Sequence, residues 1–276
     1  MSRHDRDGSE SGDGDGWAIA FAGSRVLLRV EGGRARLPTC AELGTALGLE
    51  RLAIARIPAA VRTPTPSATS VFGLEDDHEA PDGFRLEGLR SAYHVLPPEQ
   101  FRAAGTARQK LEWYRSHAFC SRCGTPTRVD GGHEAMACPA CGELHFARVA
   151  PAVIVLVQRD DRALLARSPR FMPRVYSTLA GFVEPGETLE ECIHREVGEE
   201  VGVTVEDPRY FGSQSHPFPH SLMVGFVARW RAGEIRIDPA EIEDARWFGV
   251  DDLPELPHPM SIARALIEDF VRRVRG

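Results

Sequence analysis

An apolar residue returns at every fourth position from Leu189 through Ile193 and Val197 to Val201, which predicts a helix with one buried stripe. Thr188, followed three residues later by Glu191, has the spacing of a capping box and marks where that helix starts. Around it the pattern changes period. The run Ala152-Val-Ile-Val-Leu-Val-Gln reads as a buried strand, and residues 162–167 as its hairpin partner. Further strands are expected at 177–183, 209–215, 222–231 and 245–249, and an amphipathic helix at 261–274. Strands interleaved with two helices predict an α/β/α sandwich around a mixed sheet, spanning residues 148–276.

The N-terminal half is patterned differently. Residues 1–16 are Gly, Asp, Ser and Arg without apolar periodicity and are expected to form a disordered tail. Strands at 17–21 and 26–30, helices at 41–47 and 98–117, and a Pro/Thr/Ser loop at 62–70 predict a small α+β domain over 17–118. A cysteine-rich module fills 119–147.

The polar face of the predicted helix carries the chemistry. Glu196, Glu199 and Glu200 fall at i, i+3 and i+4, off the apolar stripe and beside one another. Like charges at these spacings each cost roughly 0.2–0.5 kcal/mol. A hard divalent cation with oxygen ligands, Mg²⁺ or Mn²⁺, would offset that cost. The plainer reading is a solvated acidic face, with Glu191 and Arg195 as a surface i, i+4 pair.

Six cysteines divide into a quartet and two singles. Cys120-Ser-Arg-Cys123-Gly and Cys138-Pro-Ala-Cys141-Gly lie fourteen residues apart, and two such turns bring four thiolates onto one closed, structural Zn²⁺ site. An iron centre or a redox dithiol pair would use the same ligands. The loop between the pairs sets Asp130 and Glu134 against Arg128 and is no basic patch, so the module reads as a brace between domains. Cys40 and Cys192 read as small core residues. The net charge of −7 argues against broad nucleic-acid binding by charge alone. No apolar run approaches the roughly 20 residues that cross a bilayer, and the polar first residues lack the apolar core of a signal peptide. No membrane association and a cytoplasmic location are expected.

The segment from Gly181 to Val203 has the form Gly-x5-Glu-x7-Arg-Glu-Val-x-Glu-Glu-x-Gly-Val, and it resembles the Nudix box with each specified position filled. With the cysteine quartet before it and Ser213-Gln-Ser-His-Pro-Phe-Pro-His-Ser221 after it, the chain resembles the NADH pyrophosphatase (NudC-type) family. The resemblance implies hydrolysis of the diphosphate of NADH or NAD⁺ to AMP and nicotinamide mononucleotide, and removal of the NAD cap from RNA as a second activity. It implies that Glu196, Glu199 and Glu200, joined by Glu241 and the carbonyl of Ala180, hold Mg²⁺ or Mn²⁺. Arg195 and Glu187 would orient these acids. It further implies substrate-binding roles for Phe146, Phe182, Gln214, Ser215, His216, Pro217, Phe218, Pro219 and Ser221, and a homodimer. From the residues alone, Phe182 is either a core aromatic or a platform for a flat ring, the 213–221 array reads equally as a proline-stiffened loop, and His216 and His220 read as polar loop residues. Ser215 and His216 replace the proline and tryptophan of the family array, and Phe146 a tyrosine, which bears on selectivity for the nicotinamide end. ADP-ribose or another nucleoside diphosphate derivative is the rival substrate. A non-catalytic nucleotide- or RNA-binding module is the rival class, and it would be expected to have lost box glutamates.

Overall fold

The computed structural model describes residues 16–48, 70–130, 132–169 and 173–276. The expected tail and the expected 62–70 loop lie outside these residues, apart from Gly16 and Ser70. The chain forms two compact units, Met1–Arg148 and Val149–Gly276.

In the first unit, β1 (Ala18–Ala22) pairs antiparallel with β2 (Arg25–Glu31) and parallel with β4 (Ser70–Leu74). β2 also pairs with β3 (Arg34–Arg36) and β5 (Phe84–Gly88). The pattern of alternating small and large apolar residues in β1 is buried throughout, and Ala18, Ala20 and Ala22 share a core with Leu27, Leu43 and Phe72. Thr39 caps α1 (Cys40–Leu47) through a reciprocal box with Glu42. Glu42 also takes Arg36 at 2.5 Å and 2.8 Å, and hydrogen bonding from that guanidinium holds its carboxyl down at about 2. A short helix α2 (Leu89–Ala92) precedes α3 (Pro98–Ser116). Three very short strands, β6 (Arg128–Asp130), β7 (Ala135–Ala137) and β8 (Leu144–His145), make the cysteine module. It is tied to α3 by the Trp113 indole, whose N–H donates to the His145 carbonyl at 3.0 Å.

The second unit is the expected three-layer sandwich. β9 (Ala150–Arg159) is its axis, parallel to β13 (Ser221–Ala232) along one edge. Its other edge is shared: β11 (Leu179–Phe182) pairs with the first half and β10 (Arg162–Arg167) with the second. β12 (Thr204–His216) and β14 (Asp244–Gly249) close the two sides. The apolar run of β9 is buried on both faces because each face carries a helix. Val153, Val155 and Val157 pack under α4 (Leu189–Val201) with Ile193, Val197 and Val201. Ile154 and Leu156 pack under α5 (Ile262–Arg275) with Leu266, Ile267 and Phe270. β12 begins earlier than its pattern predicts. Asp207, at φ 53°, and Pro208 bulge out of the ladder between Glu206 and Arg209, which lets an edge strand carry a proline.

Candidate active site

α4 starts where Thr188 and Glu191 predict, with both halves of the capping box formed. Its stripe is fully buried at Ile193, Val197 and Val201 and half-buried at Leu189, with Cys192 as a further core residue at 0% exposure. Burying each such aliphatic residue contributes roughly 1.5–3 kcal/mol, several times the repulsion between neighbouring acids. The stripe therefore fixes the helix, and the acids must accept the places it gives them.

Those places are not a solvated face. Glu196 is 9% exposed and Glu200 7%, while Glu199 is exposed. The Glu191–Arg195 surface pair does not form. Glu191 turns back to accept from Thr188 N at 2.8 Å. Arg195 instead gathers the box: it grips Glu187 in bidentate fashion at 2.5 Å and 2.9 Å, donates to the Phe182 carbonyl at 2.9 Å, and reaches Glu196 at 2.9 Å and Glu199 at 3.2 Å. The loop after β11 and the acidic face are thus fastened to one guanidinium. Arg195 holds the Glu187 carboxyl down at about 2.

Glu200 has no such partner. Its Oε2 is buried and accepts no hydrogen bond. Burial, with the nearby charges of Glu196, Glu241 and Glu199, pushes its carboxyl up to about 8. Burial also raises Glu196, against the pull of Arg195. Glu241, in the turn before β14, comes from a segment that folds over the end of α4, where Arg236 N donates to the Val201 carbonyl and Asp238 N to the Glu200 carbonyl. A buried carboxylate oxygen without a donor, among three other acids, has the chemistry of a hard-cation site. Among the described residues only the cysteine sulfurs bring three or more ligand atoms within 4.8 Å of one another. The helix acids stay wider, with Arg195 drawn between Glu196 and Glu199.

β11 supplies the opposing wall. Ala180 and Gly181 pair with Ile154 and Val153, and the Glu196 carboxyl rests against Gly181. A Cβ at Gly181 would lie 1.8 Å from the Glu196 carboxyl carbon, so only glycine admits it. Gly181→Ala should displace Glu196 and lower kcat on the order of 10²-fold while leaving the melting temperature of this unit within a few degrees. Turnover and thermal melts of the purified variant check this.

Phe182 stands at the strand end with its ring 56% exposed, which excludes the core-aromatic alternative. The 213–221 array is for the most part not a loop: residues 213–216 lie in β12, and Ser215 and His216 pair with Leu222 and Ser221. Only residues 217–220 form the turn. The His216 ring meets Phe218 edge-on at 4.9 Å; Pro217 is buried and Pro219 exposed. Ser221 is buried at the start of β13, beside Ala150. Gln214 spends both ends of its amide inside the fold, donating to the Met260 carbonyl at 2.6 Å and accepting from Ile262 N at 2.9 Å. Phe146 belongs to the first unit and is 57% exposed. Ala152 and Met223, which the sequence reading did not single out, stand in one cross-strand row with Gln214 and Phe182. Alternation within β9 and β13 is the signal that places them.

In the cysteine module the thiols are free. Sulfur separations are 3.7 Å for Cys120–Cys141, 3.5 Å for Cys123–Cys138 and 3.6 Å for Cys123–Cys141. A tetrahedron with Zn–S bonds of about 2.3 Å needs edges of about 3.8 Å, so the quartet already has nearly the size of a zinc shell. Gly124 and Gly142, at φ 73° and 76°, turn each knuckle. Their N–H groups donate to the carbonyls of Cys120 and Cys138, while backbone amides of other residues turn to sulfur: Arg122 onto Cys120 at 3.4 Å, Thr125 onto Cys123 and Glu143 onto Cys141.

A three-layer sandwich with this acid-bearing helix behind a glycine-tight strand defines a Nudix domain, here accompanied by a zinc ribbon. Comparison with known families agrees: residues 148–270 match the NUDIX domain, 115–146 the NADH pyrophosphatase zinc ribbon domain, and 15–113 the NADH pyrophosphatase-like rudimentary NUDIX domain. A protein of Stutzerimonas stutzeri named NAD-capped RNA hydrolase NudC is 53% identical over 206 residues, 75% of this chain and 74% of its own. One of the same name from Deinococcus radiodurans is 50% identical over 74% of this chain and 75% of its own. A solved NUDIX hydrolase from Nitrosomonas europaea aligns over 56% of this chain and 90% of its own, with 23% identity and a TM-score of 0.49. The chain belongs to the NADH pyrophosphatase (NudC-type) family of Nudix hydrolases.

Proposed function

We propose that this protein hydrolyses the diphosphate bridge of NADH and NAD⁺, giving AMP and nicotinamide mononucleotide, and that it removes the NAD cap from RNA by the same cut. The observation that carries the reading is Glu200, a buried acid with an orphaned oxygen beside Glu196, on the helix of a domain whose relatives are named for this chemistry. Glu196, Glu199, Glu200, Glu241 and the Ala180 carbonyl would hold Mg²⁺ or Mn²⁺. Such a cation, when bound, supplies positive charge against the diphosphate oxygens and makes a neighbouring water more acidic. Arg195 and Glu187 fix the 182–187 loop to the helix, so the acids meet substrate in one arrangement. One glutamate accepts the water proton as the water oxygen adds to phosphorus and the bridging P–O bond breaks. Phe182 offers an exposed ring on which a purine or nicotinamide can stack, the 213–221 array shapes the rest of the pocket in this unit, and the resemblance gives Phe146 a substrate-binding role. The Cys120, Cys123, Cys138 and Cys141 site holds Zn²⁺ with no open position and serves structure.

The family resemblance supports a homodimer, and the protein acts in the cytoplasm. No helix among the described residues is long and apolar enough to cross a membrane. ADP-ribose is the second reading, favoured by Ser215 and His216 standing where the family array has proline and tryptophan.

Incubating the protein with NADH, NAD⁺ or ADP-ribose and Mg²⁺ or Mn²⁺ separates these. AMP should appear fastest from NAD(H), and a 5′-NAD RNA should become a 5′-monophosphate RNA. Glu199→Gln should reduce the rate on the order of 10²-fold. Intact NAD(H), or a variant as active as the parent, would refute the assignment.

A further inference from the structure

The segment 254–260 crosses the α5 face of the sheet as Pro254-Glu-Leu-Pro257-His-Pro259-Met260. Its three prolines lack N–H groups and cannot knit the strap into a structure of its own. Its position must come from anchors outside it. One anchor is at Glu255, whose carbonyl accepts from Tyr176 N at 2.9 Å and which bridges Val175. The other is Gln214. Its amide N–H donates to the Met260 carbonyl and its amide oxygen accepts from Ile262 N, so one side chain from β12 ties the strap's last residue and α5's first. An apolar seat accompanies this polar lock: a Cβ on Gly225 would come within 2.8 Å of Ile262 Cδ1, so Ile262 rests directly on the backbone of β13.

The floor beside the lock is also defined. Gln214 is paired with Met223, Met223 with Ala152, and Ala152 with Phe182. Directly opposed residues in a sheet point to one face. The row therefore runs from the strap's anchor across three strand spacings, roughly 14 Å, to the exposed ring of Phe182 at the end of β11. That span suits one nucleoside half of a dinucleotide lying across the sheet.

We infer that Gln214 is a positioning residue: it does not touch substrate but holds the 254–260 strap, through Met260 and Ile262, at a fixed height above the Met223–Ala152 row, and so sets the slot for one nucleoside half of the dinucleotide. This rests on the NAD(H) reading above. The same position in the array would otherwise be taken for a direct substrate contact, yet both ends of its amide are already directed at Met260 and Ile262, with one N–H and one oxygen lone pair left over.

The experiment pairs hydrogen exchange of the metal-free, ligand-free protein with kinetics on NADH, for wild type, Gln214→Ala and Gln214→Glu. In Gln214→Ala, amide exchange over 260–262 should quicken at least about tenfold, and KM for NADH should rise about tenfold with kcat held within about threefold. Gln214→Glu keeps the acceptor for Ile262 N and loses the donor to Met260, so it should fall between the two in both readouts. It also carries the test if the alanine variant does not fold. A raised KM with unchanged exchange would mean direct contact and overturn the inference. Faster exchange with unchanged KM and kcat would overturn it equally. If wild type fails to cleave NADH, the function assignment falls, and the exchange result still decides whether Gln214 locks the strap.

Discussion

Glu200→Gln should yield a protein that is more stable without metal and nearly inert. The carboxyl of Glu200 is raised from 4.5 to about 8, first by burial and then by Glu196, Glu241 and Glu199. The folded state thus holds this proton more tightly than the unfolded chain does. The associated stability is fully present below about 4.5 and is lost as pH rises through about 8. A shift of that size corresponds to at most about 5 kcal/mol. Metal-free wild type should therefore melt progressively lower between pH 5 and pH 8.5, with the transition of this unit falling on the order of 10 °C. A saturating divalent cation should flatten the slope, because it replaces the proton as the partner of Glu200. In Glu200→Gln the amide stays neutral and isosteric, so the slope should be absent even under chelation. In the proposed reaction the same change removes a ligand oxygen for the divalent cation, and turnover should drop on the order of 10³-fold. Thermal melts across pH with and without Mg²⁺, set beside rates on NADH, read both effects. A flat wild-type profile, or a glutamine variant that still turns over, would remove Glu200 from the centre of the site.

This opposition between stability and activity was only half legible in the chain. The repeat Leu189, Ile193, Val197, Val201 and the Thr188–Glu191 cap declare α4, because both signals are local and act within a turn of helix. The six-residue apolar run of β9 declares a strand covered on both faces. The clustering of Glu196, Glu199 and Glu200 follows from helical spacing alone. Their burial does not. Glu196 is covered because β11 brings Gly181 against it, and Glu200 because residues 236–241 fold back over the helix end; both contacts join segments far apart in sequence. Arg195 was legible as an orienting group, yet the share it takes of Glu196 and Glu199 depends on where the 182–187 loop lies. The array at 213–221 reads two ways at once, as the end of the expected 209–215 strand and as a loop. Prolines and aromatics signal a loop, while the pairing of residues 213–216 with 221–224 is imposed by the neighbouring strand. Pro208 similarly hid the start of β12, since a bulge lets an edge strand tolerate what a central strand would not.

The second large effect concerns the cysteine quartet, whose removal should unfold the ribbon. Its strands are three, three and two residues long, and Ala135 and Met136 are the buried apolar residues they contribute. Burying those two side chains is worth only a few kcal/mol. That is too little to order a module of this length, because fixing each residue's backbone costs conformational entropy. Hydrogen bonds in the knuckles and the Trp113–His145 tie narrow the gap but do not close it, since each nets only about 1 kcal/mol. A structural Zn²⁺ ion, whose binding free energy is available only to the folded knuckles, supplies stabilisation that these contacts lack. Purified protein should accordingly contain one zinc per chain, without the visible absorption of an iron centre. Cys138→Ser should lose that metal and with it the amide protection of residues 128–145, while the second unit, which has its own core, keeps its protection under α4 and α5. Elemental analysis and hydrogen exchange on the two proteins decide the matter. A metal-free variant that protects the ribbon amides as well as wild type would show that the cysteines are dispensable to the fold, and the near-tetrahedral spacing of their sulfurs would then need another cause.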